Sequence, residues 1–61
     1  MKRRDLVRHL MSHDCFFLRE GHSHTVFKNA VSGLQSSVPR HTEVGEKLVR
    51  KICKDLGIPA P

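Results

Sequence analysis

The last third of the chain carries an apolar stripe at helical spacing that ends at a glycine. The stripe comprises Val44, Leu48, Val49, Ile52, Cys53 and Leu56. Residues three, four or seven positions apart share one face of a helix, so the stripe predicts an amphipathic helix over residues 43–56. Gly57 ends it, Ile58 folds back in a Schellman-like end, and Pro59 prevents continuation. Such a helix is stable only where the rest of the chain covers its apolar face.

The start of this helix combines favourable and unfavourable residues. Thr42 is the expected N-cap, and Glu43 and Glu46 lie where negative charge stabilises the positive end of the helix dipole. Gly45 falls in the predicted first turn, where glycine costs about 1 kcal/mol relative to alanine. We therefore expect an irregular first turn.

A second amphipathic helix is predicted over residues 3–13, and three strands are predicted between the helices. The helix has an apolar face formed by Leu6, Val7, Leu10 and Met11, and Asp14 is expected to break it. The strands span residues 15–20, 24–28 and 34–38. Gly21 gives the backbone freedom for a tight turn. Pro39 ends the third strand and suits an edge or a strand terminus rather than a central position. The predicted fold class is α+β, in the order α-β-β-β-α, with a three-stranded antiparallel sheet and both helices on one face.

The chain is short and strongly basic. Its 61 residues form one domain without room for a deep substrate cavity, so we expect any chemistry on a surface that meets a large partner. Eleven Lys and Arg against six Asp and Glu give a net charge of +5, which favours nucleic acid ahead of a membrane surface. Neither a signal peptide nor a membrane span is indicated, so we expect a soluble cytoplasmic protein with no membrane partner.

Two histidines follow the glycine turn and precede the second strand. If Thr25 and Phe27 face the helices, His24 and Lys28 lie on the opposite face, with an imidazole and an ammonium side by side. An unperturbed imidazole has a pKa of roughly 6.5, which suits proton transfer near neutral pH, and the neighbouring cation suits phosphate chemistry. His22 is a second imidazole nearby. The alternative is that both histidines are only polar turn residues.

The last helix also carries a basic stripe on the face away from its apolar stripe. This basic stripe comprises Lys47, Arg50, Lys51 and Lys54. Asp55 is the only acid in the last two turns, and we expect no ladder of i, i+4 ion pairs to neutralise the cations. The basic stripe is therefore predicted to bind phosphates, and a solvated helix surface is the alternative.

Cysteine and histidine spacings do not predict a metal site. Cys15 and Cys53 lie far apart among apolar neighbours, so buried free thiols are expected, with a single disulfide as the alternative. His9 and His13 have helical metal-ligand spacing but no third ligand. A site formed by His22, His24 and His41 lacks an evident carboxylate to orient the ligands. We expect no metal and no small-molecule cofactor.

Three passages together resemble one family of toxins. They are Lys2-Arg3-Arg4-Asp5-Leu6, then Leu18-Arg19-Glu20-Gly21 followed by His24, and Val38-Pro39-Arg40-His41 preceding the segment from Arg50 to Ile58. Their order and spacing, from Lys2 to Pro59, resemble the HicA family of toxin endoribonucleases. The resemblance implies a small double-stranded-RNA-binding-like fold and an mRNA interferase acting outside the ribosome. It also implies neutralisation by a HicB-type antitoxin encoded beside the toxin.

The family's pattern has a glycine shortly before the catalytic histidine at the head of the second strand. Gly21 and His24 match these positions, so the resemblance implies that His24 is the catalytic acid or base. His22 departs from the pattern, and whether it assists is open. The residues expected to bind RNA are Arg19, His22, Lys28, Arg40, Lys47, Arg50, Lys51 and Lys54.

Two other functions fit the same sequence. A non-catalytic RNA-binding module of this fold would use the basic stripe and leave His24 as a turn residue. Base stacking is not favoured, because Trp and Tyr are absent and the three Phe residues are needed partly for the core. An interaction protein with an acidic partner is the other alternative, and its expected contact is the open sheet face around His24. Cleavage of RNA separates these functions from that of a toxin endoribonuclease.

Overall fold

The computed structural model describes all 61 residues. Two helices and three strands follow one another as α1 (Arg3–Ser12), β1 (Cys15–Glu20), β2 (His24–Asn29), β3 (Gln35–Pro39) and α2 (Glu46–Asp55). The antiparallel sheet has the order β1-β2-β3, so β2 is central and the other two strands are edges. The predicted α+β fold is confirmed. Neither helix has the length and apolar character needed to cross a membrane.

Both helices pack on the same face of the sheet, as predicted. The strand pairing places Cys15, Phe27 and Val38, one residue from each strand, on the covered face. The helices and the segment before α2 complete the core with Leu6, Leu10, Val44, Val49, Ile52, Cys53 and Leu56. Cys15 and Cys53 are buried free thiols, as expected, and burial raises the pKa of both.

Two apolar helix residues expected to face the core lie instead at the surface. Leu48 is 39% exposed and Met11 is 58% exposed. The buried residues of α2 begin at Val49 and those of α1 include Leu10. Each exposed residue is next in sequence to a buried one, so its side chain lies about 100° around the helix from the buried stripe. The core-facing stripes are therefore narrower than the sequence suggested.

Each helix ends as the sequence predicts. Asp14 adopts a φ of 65°, in the left-handed region, directly after α1 and its C-cap. At the end of α2, the Ile58 amide donates to the Cys53 carbonyl at 2.9 Å and the Gly57 amide donates to the Lys54 carbonyl at 3.0 Å. Gly57 has a φ of 71°, which completes a Schellman end.

The start of α2 differs from the prediction. Gly45 is the N-cap instead of Thr42, and the helix begins at Glu46. The preceding residues are extended because they pair with the first residues of the chain. The Arg3 amide donates to the Thr42 carbonyl and the Val44 amide donates to the Met1 carbonyl, both at 2.8 Å. Gly45 thus lies outside the helix, where the predicted cost of a helical glycine does not apply.

The edge strands carry two features that shape the open face of the sheet. In β1, Phe17 pairs with Phe27, but Arg19 and not Leu18 pairs with Val26, which marks a β-bulge that was not predicted. In β3, Pro39 is the last strand residue, where the lack of an amide hydrogen is tolerated at an edge. These features leave Arg19 on the face away from the helices.

Candidate functional site

His24 is the first residue of β2 and directly follows the turn from β1. The Gly21 amide donates to the His24 carbonyl at 2.7 Å, which closes the turn. A Cβ on Gly21 would lie 3.0 Å from that oxygen, so glycine is needed for close approach and not for a left-handed φ. The imidazole is exposed, with Nδ1 lying 3.1 Å from Ser23 Oγ. Nε2 has no protein partner and is open to a substrate.

Arg40 joins this turn to the end of β3. Its Nη2 donates to the Gly21 carbonyl at 2.7 Å and to Glu20 Oε1 at 3.0 Å. The same carboxylate oxygen accepts a hydrogen bond from Thr25 Oγ1 at 2.9 Å. The Thr25 hydroxyl, followed by Arg40, holds the pKa of Glu20 below its usual range. Glu20 is therefore ionised at neutral pH and unsuited to donate a proton there.

Arg3 supports the same end of the sheet from α1. Its Nε donates to the Pro39 carbonyl at 2.8 Å, and its Nη2 donates to Thr25 Oγ1 at 3.1 Å. Pro39 is the cross-strand partner of His24. Arg3 thus fixes the strand beside the imidazole. Sequence reasoning missed this role, because no local pattern connects a residue of α1 with partners in β2 and β3.

A groove of about 420 Å³ opens beside His24, between β3 and α2. Its lining is His24, Gln35, Ser36, Ser37, Pro39, Leu48, Lys51, Ile52 and Asp55. Because β3 is an edge strand, the groove also adjoins backbone that no neighbouring strand covers. Lys51 brings an ammonium into the groove, where its Nζ lies 2.9 Å from Asp55 Oδ2. The groove is open and is lined by both polar and apolar side chains, which suits a polymer bound at the surface.

The open face of the sheet holds two of the predicted RNA-binding residues at different distances from His24. Arg19 pairs with Val26, next to His24 on this face. Lys28 shares the face but lies four residues along the strand from His24, about 13 Å at a rise of about 3.3 Å per residue. The imidazole and this ammonium are therefore not side by side. Among the predicted cations, Lys51 shares the groove with His24.

The basic stripe of α2 carries two i, i+4 ion pairs, which involve two of its four cations. These pairs do not form a ladder along the whole stripe, but they leave it less free than the sequence suggested. Arg50 Nη2 lies 3.9 Å from Glu46 Oε2, and Lys51 pairs with Asp55 as described. The carboxylates lie one turn before and one turn after these cations. Both pairs are exposed, and such pairs contribute little stability, so a phosphate can replace the carboxylate. Lys47 and Lys54 have no carboxylate partner.

The remaining histidines do not form a metal centre. His22 lies exposed in the turn beside His24. No three His, Cys, Asp or Glu side chains cluster closely enough to hold a metal ion. His9 has a structural contact instead, because its Nε2 donates to the Pro59 carbonyl at 2.7 Å. Its ring centroid lies 4.6 Å from that of His13. His9 therefore belongs to the packing of α1 against the last residues, and His13 lies beside it.

The chain was compared with known proteins through families, curated sequences and solved structures. No curated protein and no solved structure matches it. The family described as "HicA toxin of bacterial toxin-antitoxin" matches residues 3–58. This match runs from the first residue of α1 to Ile58 and includes the whole sheet and the His24 turn. The chain therefore belongs to the HicA family of toxins from bacterial toxin–antitoxin systems.

Proposed function

We propose that this toxin is a metal-independent endoribonuclease that cleaves mRNA in the cytoplasm with His24 as a proton-transfer residue. The observation that carries the proposal is the placement of this imidazole. The imidazole is exposed at the first residue of the central strand, and it lines the groove between β3 and α2. The backbone of His24 is held by its hydrogen bond with the Gly21 amide. A positioned histidine of this kind contributes about 10²- to 10⁴-fold to the rate of a proton transfer.

RNA supplies its own nucleophile for the reaction. The 2′-oxygen attacks the adjacent phosphorus, the bond from phosphorus to the 5′-oxygen breaks, and a cyclic phosphate and a 5′-hydroxyl result. His24 Nε2 either takes the 2′-hydroxyl proton or gives a proton to the leaving 5′-oxygen. The other transfer needs a second group, for which His22 is the nearest imidazole in sequence. Glu20 is excluded as the acid at neutral pH, because its pKa is lowered.

Cations around His24 would bind the RNA backbone and stabilise charge on phosphorus. Lys51 is better placed for the second role than Lys28, because it lines the groove with His24. The basic stripe on α2 supplies contacts that do not depend on base sequence. Four such contacts predict a slope of roughly −3 for log affinity against log salt with single-stranded RNA.

A HicB-type antitoxin is the proposed protein partner. The open face of the sheet supports this, because it exposes apolar side chains beside a cation. Phe16 is 40% exposed and Leu18 is 36% exposed, on either side of Phe17 in the same edge strand, and Arg19 follows. Apolar anchors with an arginine at their margin are typical of protein interfaces. An antitoxin on this face would also cover His24.

The test is cleavage of a long single-stranded RNA in EDTA, with the chemistry of the new ends determined. Wild type should cut and leave cyclic or 3′-phosphate ends, and His24→Ala should cut at least about 100-fold more slowly. His41→Ala is the matched control, because His41 is also exposed but lies outside the turn. His22→Ala shows whether the second imidazole takes part.

Three outcomes decide the proposal. Equal cleavage by wild type and His24→Ala would remove His24 from the reaction. Cleavage that EDTA abolishes would contradict the metal-independent mechanism. If both proteins bind RNA and neither cuts it, the chain is an RNA-binding module of this fold and not a nuclease.

A further inference from the structure

A second depression, here called the basic cleft, lies where the first residues of the chain meet the segment between β3 and α2. It has a volume of about 450 Å³ and is lined by Lys2, Arg3, Arg4, Arg40, Thr42 and Glu43. No apolar side chain lines it. Four cations and one carboxylate line it, and Arg40 also pairs with Glu20, which lies outside the lining. An excess of positive charge remains. Of its cations, only Arg40 is among the residues that the sequence analysis expected to bind RNA.

Backbone contacts hold the basic cleft in shape. The pairing of residues 1–3 with residues 42–44 forms its floor, with Lys2 opposite Glu43. Arg3 is tied to Pro39 and Thr25 as described above. Lys2 and Arg4 are exposed and have no carboxylate partner. Two free cations therefore border a cleft whose walls are already fixed.

The charge arrangement is unfavourable without a ligand. Lys2 is the N-cap of α1, and Arg3 and Arg4 follow it at the positive end of the helix dipole. Cations at this end repel the dipole and one another, and Asp5 is the only acid in the first turn. A bound anion would relieve this repulsion. The N-cap makes no side-chain hydrogen bond, and the Arg3 amide at this end donates to the Thr42 carbonyl. The case for an anion therefore rests on the side-chain cations and not on free helix amides.

We propose that the basic cleft binds a backbone phosphate of single-stranded RNA next to the nucleotides held at His24. This inference rests on the proposed function, because it takes RNA as the substrate. The connection runs through Arg40, which lines the cleft and donates to the Gly21 carbonyl in the His24 turn. It also runs through Arg3, which lines the cleft and holds the strand partner of His24. The cleft and the imidazole thus lie at the same end of the sheet.

The lining favours a phosphate over a protein segment. Protein interfaces are centred on buried apolar or aromatic anchors, and the basic cleft has no apolar side chain to receive one. Arginine and lysine are the side chains that hold phosphate groups, and arginine does so with two parallel hydrogen bonds. An acidic segment of a partner protein is therefore the weaker candidate, and the experiment below separates it from RNA.

The test compares Arg4→Gln with Arg8→Gln. Both arginines are exposed on α1, one turn apart, but only Arg4 lines the cleft. Affinity for a 2′-O-methyl single-stranded RNA, which has no free nucleophile, is measured in EDTA at several salt concentrations. Arg4→Gln should reduce the steepness of log affinity against log salt by about 0.7, which is about a five-fold loss at about 0.1 M salt. Arg8→Gln should leave the slope unchanged.

Three further measurements show whether the basic cleft binds RNA phosphate, free phosphate or an acidic protein segment. Lys2→Gln combined with Arg4→Gln should reduce the slope by about 1.4. Inorganic phosphate at constant ionic strength should compete only weakly, because it lacks the contacts at the groove. Phosphate binding that Arg4→Gln abolishes while RNA affinity stays at the wild-type value would assign the cleft to a free anion and overturn the inference. Loss of antitoxin binding with unchanged RNA binding would overturn it in favour of a protein partner.

The two proposals fail separately, because the RNA used here cannot be cleaved. Equal slopes for wild type and Arg4→Gln overturn the cleft assignment even where wild type cleaves ordinary RNA through His24. A reduced slope for Arg4→Gln, with no cleavage by wild type, supports the cleft as a phosphate site of a non-catalytic RNA-binding protein. A wild type that neither binds this RNA nor cuts ordinary RNA overturns both.

Discussion

The two ends of β2 are held by different kinds of interaction. At the His24 end, charged side chains from α1, β1 and the segment after β3 converge. Arg40 pairs with Glu20 across the turn, with both side chains about half exposed, and Arg3 donates to the Pro39 carbonyl. These contacts join groups that salt, protons or a bound anion can rearrange.

At the other end, one neutral side chain makes the connections. Asn29 is only 5% exposed, and its Nδ2 donates to the Leu56 carbonyl at 2.8 Å, at the end of α2. Its Oδ1 accepts hydrogen bonds from the Val31 amide at 2.8 Å and from the Ser32 amide at 3.2 Å. No titratable group takes part in these bonds.

The two ends of β2 therefore differ in what they contribute to the protein. The Asn29 end joins the sheet to α2 inside the molecule. Its contribution to the free energy of unfolding should therefore not depend on pH or salt. The His24 end leaves its cations near the surface, where the proposed phosphate contacts would not disturb the core. The proposed reaction would then take place at the surface end of a strand whose other end is fixed to the core.

Asn29→Ala should have the largest effect on stability. It leaves the carbonyl of the buried Leu56 without a partner and removes the acceptor of two part-buried loop amides, so we expect a loss of about 2–3 kcal/mol in the free energy of unfolding. Urea denaturation measures this loss. Ser32→Ala is the control in the same loop, since its exposed hydroxyl accepts only from the Leu34 amide, and it should cost less than about 0.5 kcal/mol.

The comparison also requires that Asn29→Ala leave cleavage per folded molecule unchanged. A loss of stability below about 1 kcal/mol would show that water replaces the amide easily. The Asn29 end would then contribute no more to the free energy of unfolding than the His24 end does.

Gly21→Ala should have a smaller effect on stability and a clear effect on cleavage. The added Cβ lies 3.0 Å from the His24 carbonyl, so the head of β2 must move by a few tenths of an ångström. We expect a cost of about 1 kcal/mol and about a ten-fold slower cleavage, because catalysis depends on position at this scale. Gly45→Ala is the control for cleavage, since its Cβ meets nothing within 4 Å and Gly45 lies outside the His24 turn. Its own cost in stability is that of an alanine at the N-cap of α2. Wild-type cleavage by Gly21→Ala would mean that the turn does not position His24.

The sequence predicted those features that depend on neighbouring residues. The Schellman end at Gly57 and the helix break at Asp14 are local events, in which one residue with a left-handed φ decides the outcome. The position of His24 at the first residue of β2 was also predictable from a neighbouring residue, Gly21. This glycine is needed because its backbone lies close to the His24 carbonyl, and not because of a left-handed φ. The catalytic role of His24 comes from the family resemblance and stays a prediction.

The features that the sequence missed depend on residues far apart in the chain. The start of α2 shifted because Thr42 pairs with Arg3, and no local signal shows this. The basic cleft requires Arg4 and Arg40 to meet, and no local pattern connects a residue of α1 with a residue after β3. The bulge at Leu18 is a property of pairing with β2. Side chains that connect such distant segments are the ones that shape this site.

Glu20→Gln should have the smallest effect on the free energy of unfolding. This variant is informative because its effect should depend on pH. The folded pKa of Glu20 is lowered, first by the Thr25 hydrogen bond and then by Arg40, from about 4.3 in an unfolded chain. Its stabilising contribution is therefore complete above that unfolded value and is lost as pH falls through the lower folded pKa. The stability difference between wild type and Glu20→Gln should be greatest near neutral pH and vanish in acid.

Urea unfolding of wild type, Glu20→Gln and Asn29→Ala at about pH 7 and about pH 3 checks this contrast between the two ends of β2. The Glu20→Gln difference should shrink in acid and in high salt, because it comes from an exposed charge. The Asn29→Ala difference should be the same at both pH values, because only neutral amides and carbonyls are involved. A Glu20→Gln difference that persists in acid would mean that the glutamate acts as a neutral hydrogen-bond acceptor. Both ends of β2 would then be held by the same kind of interaction.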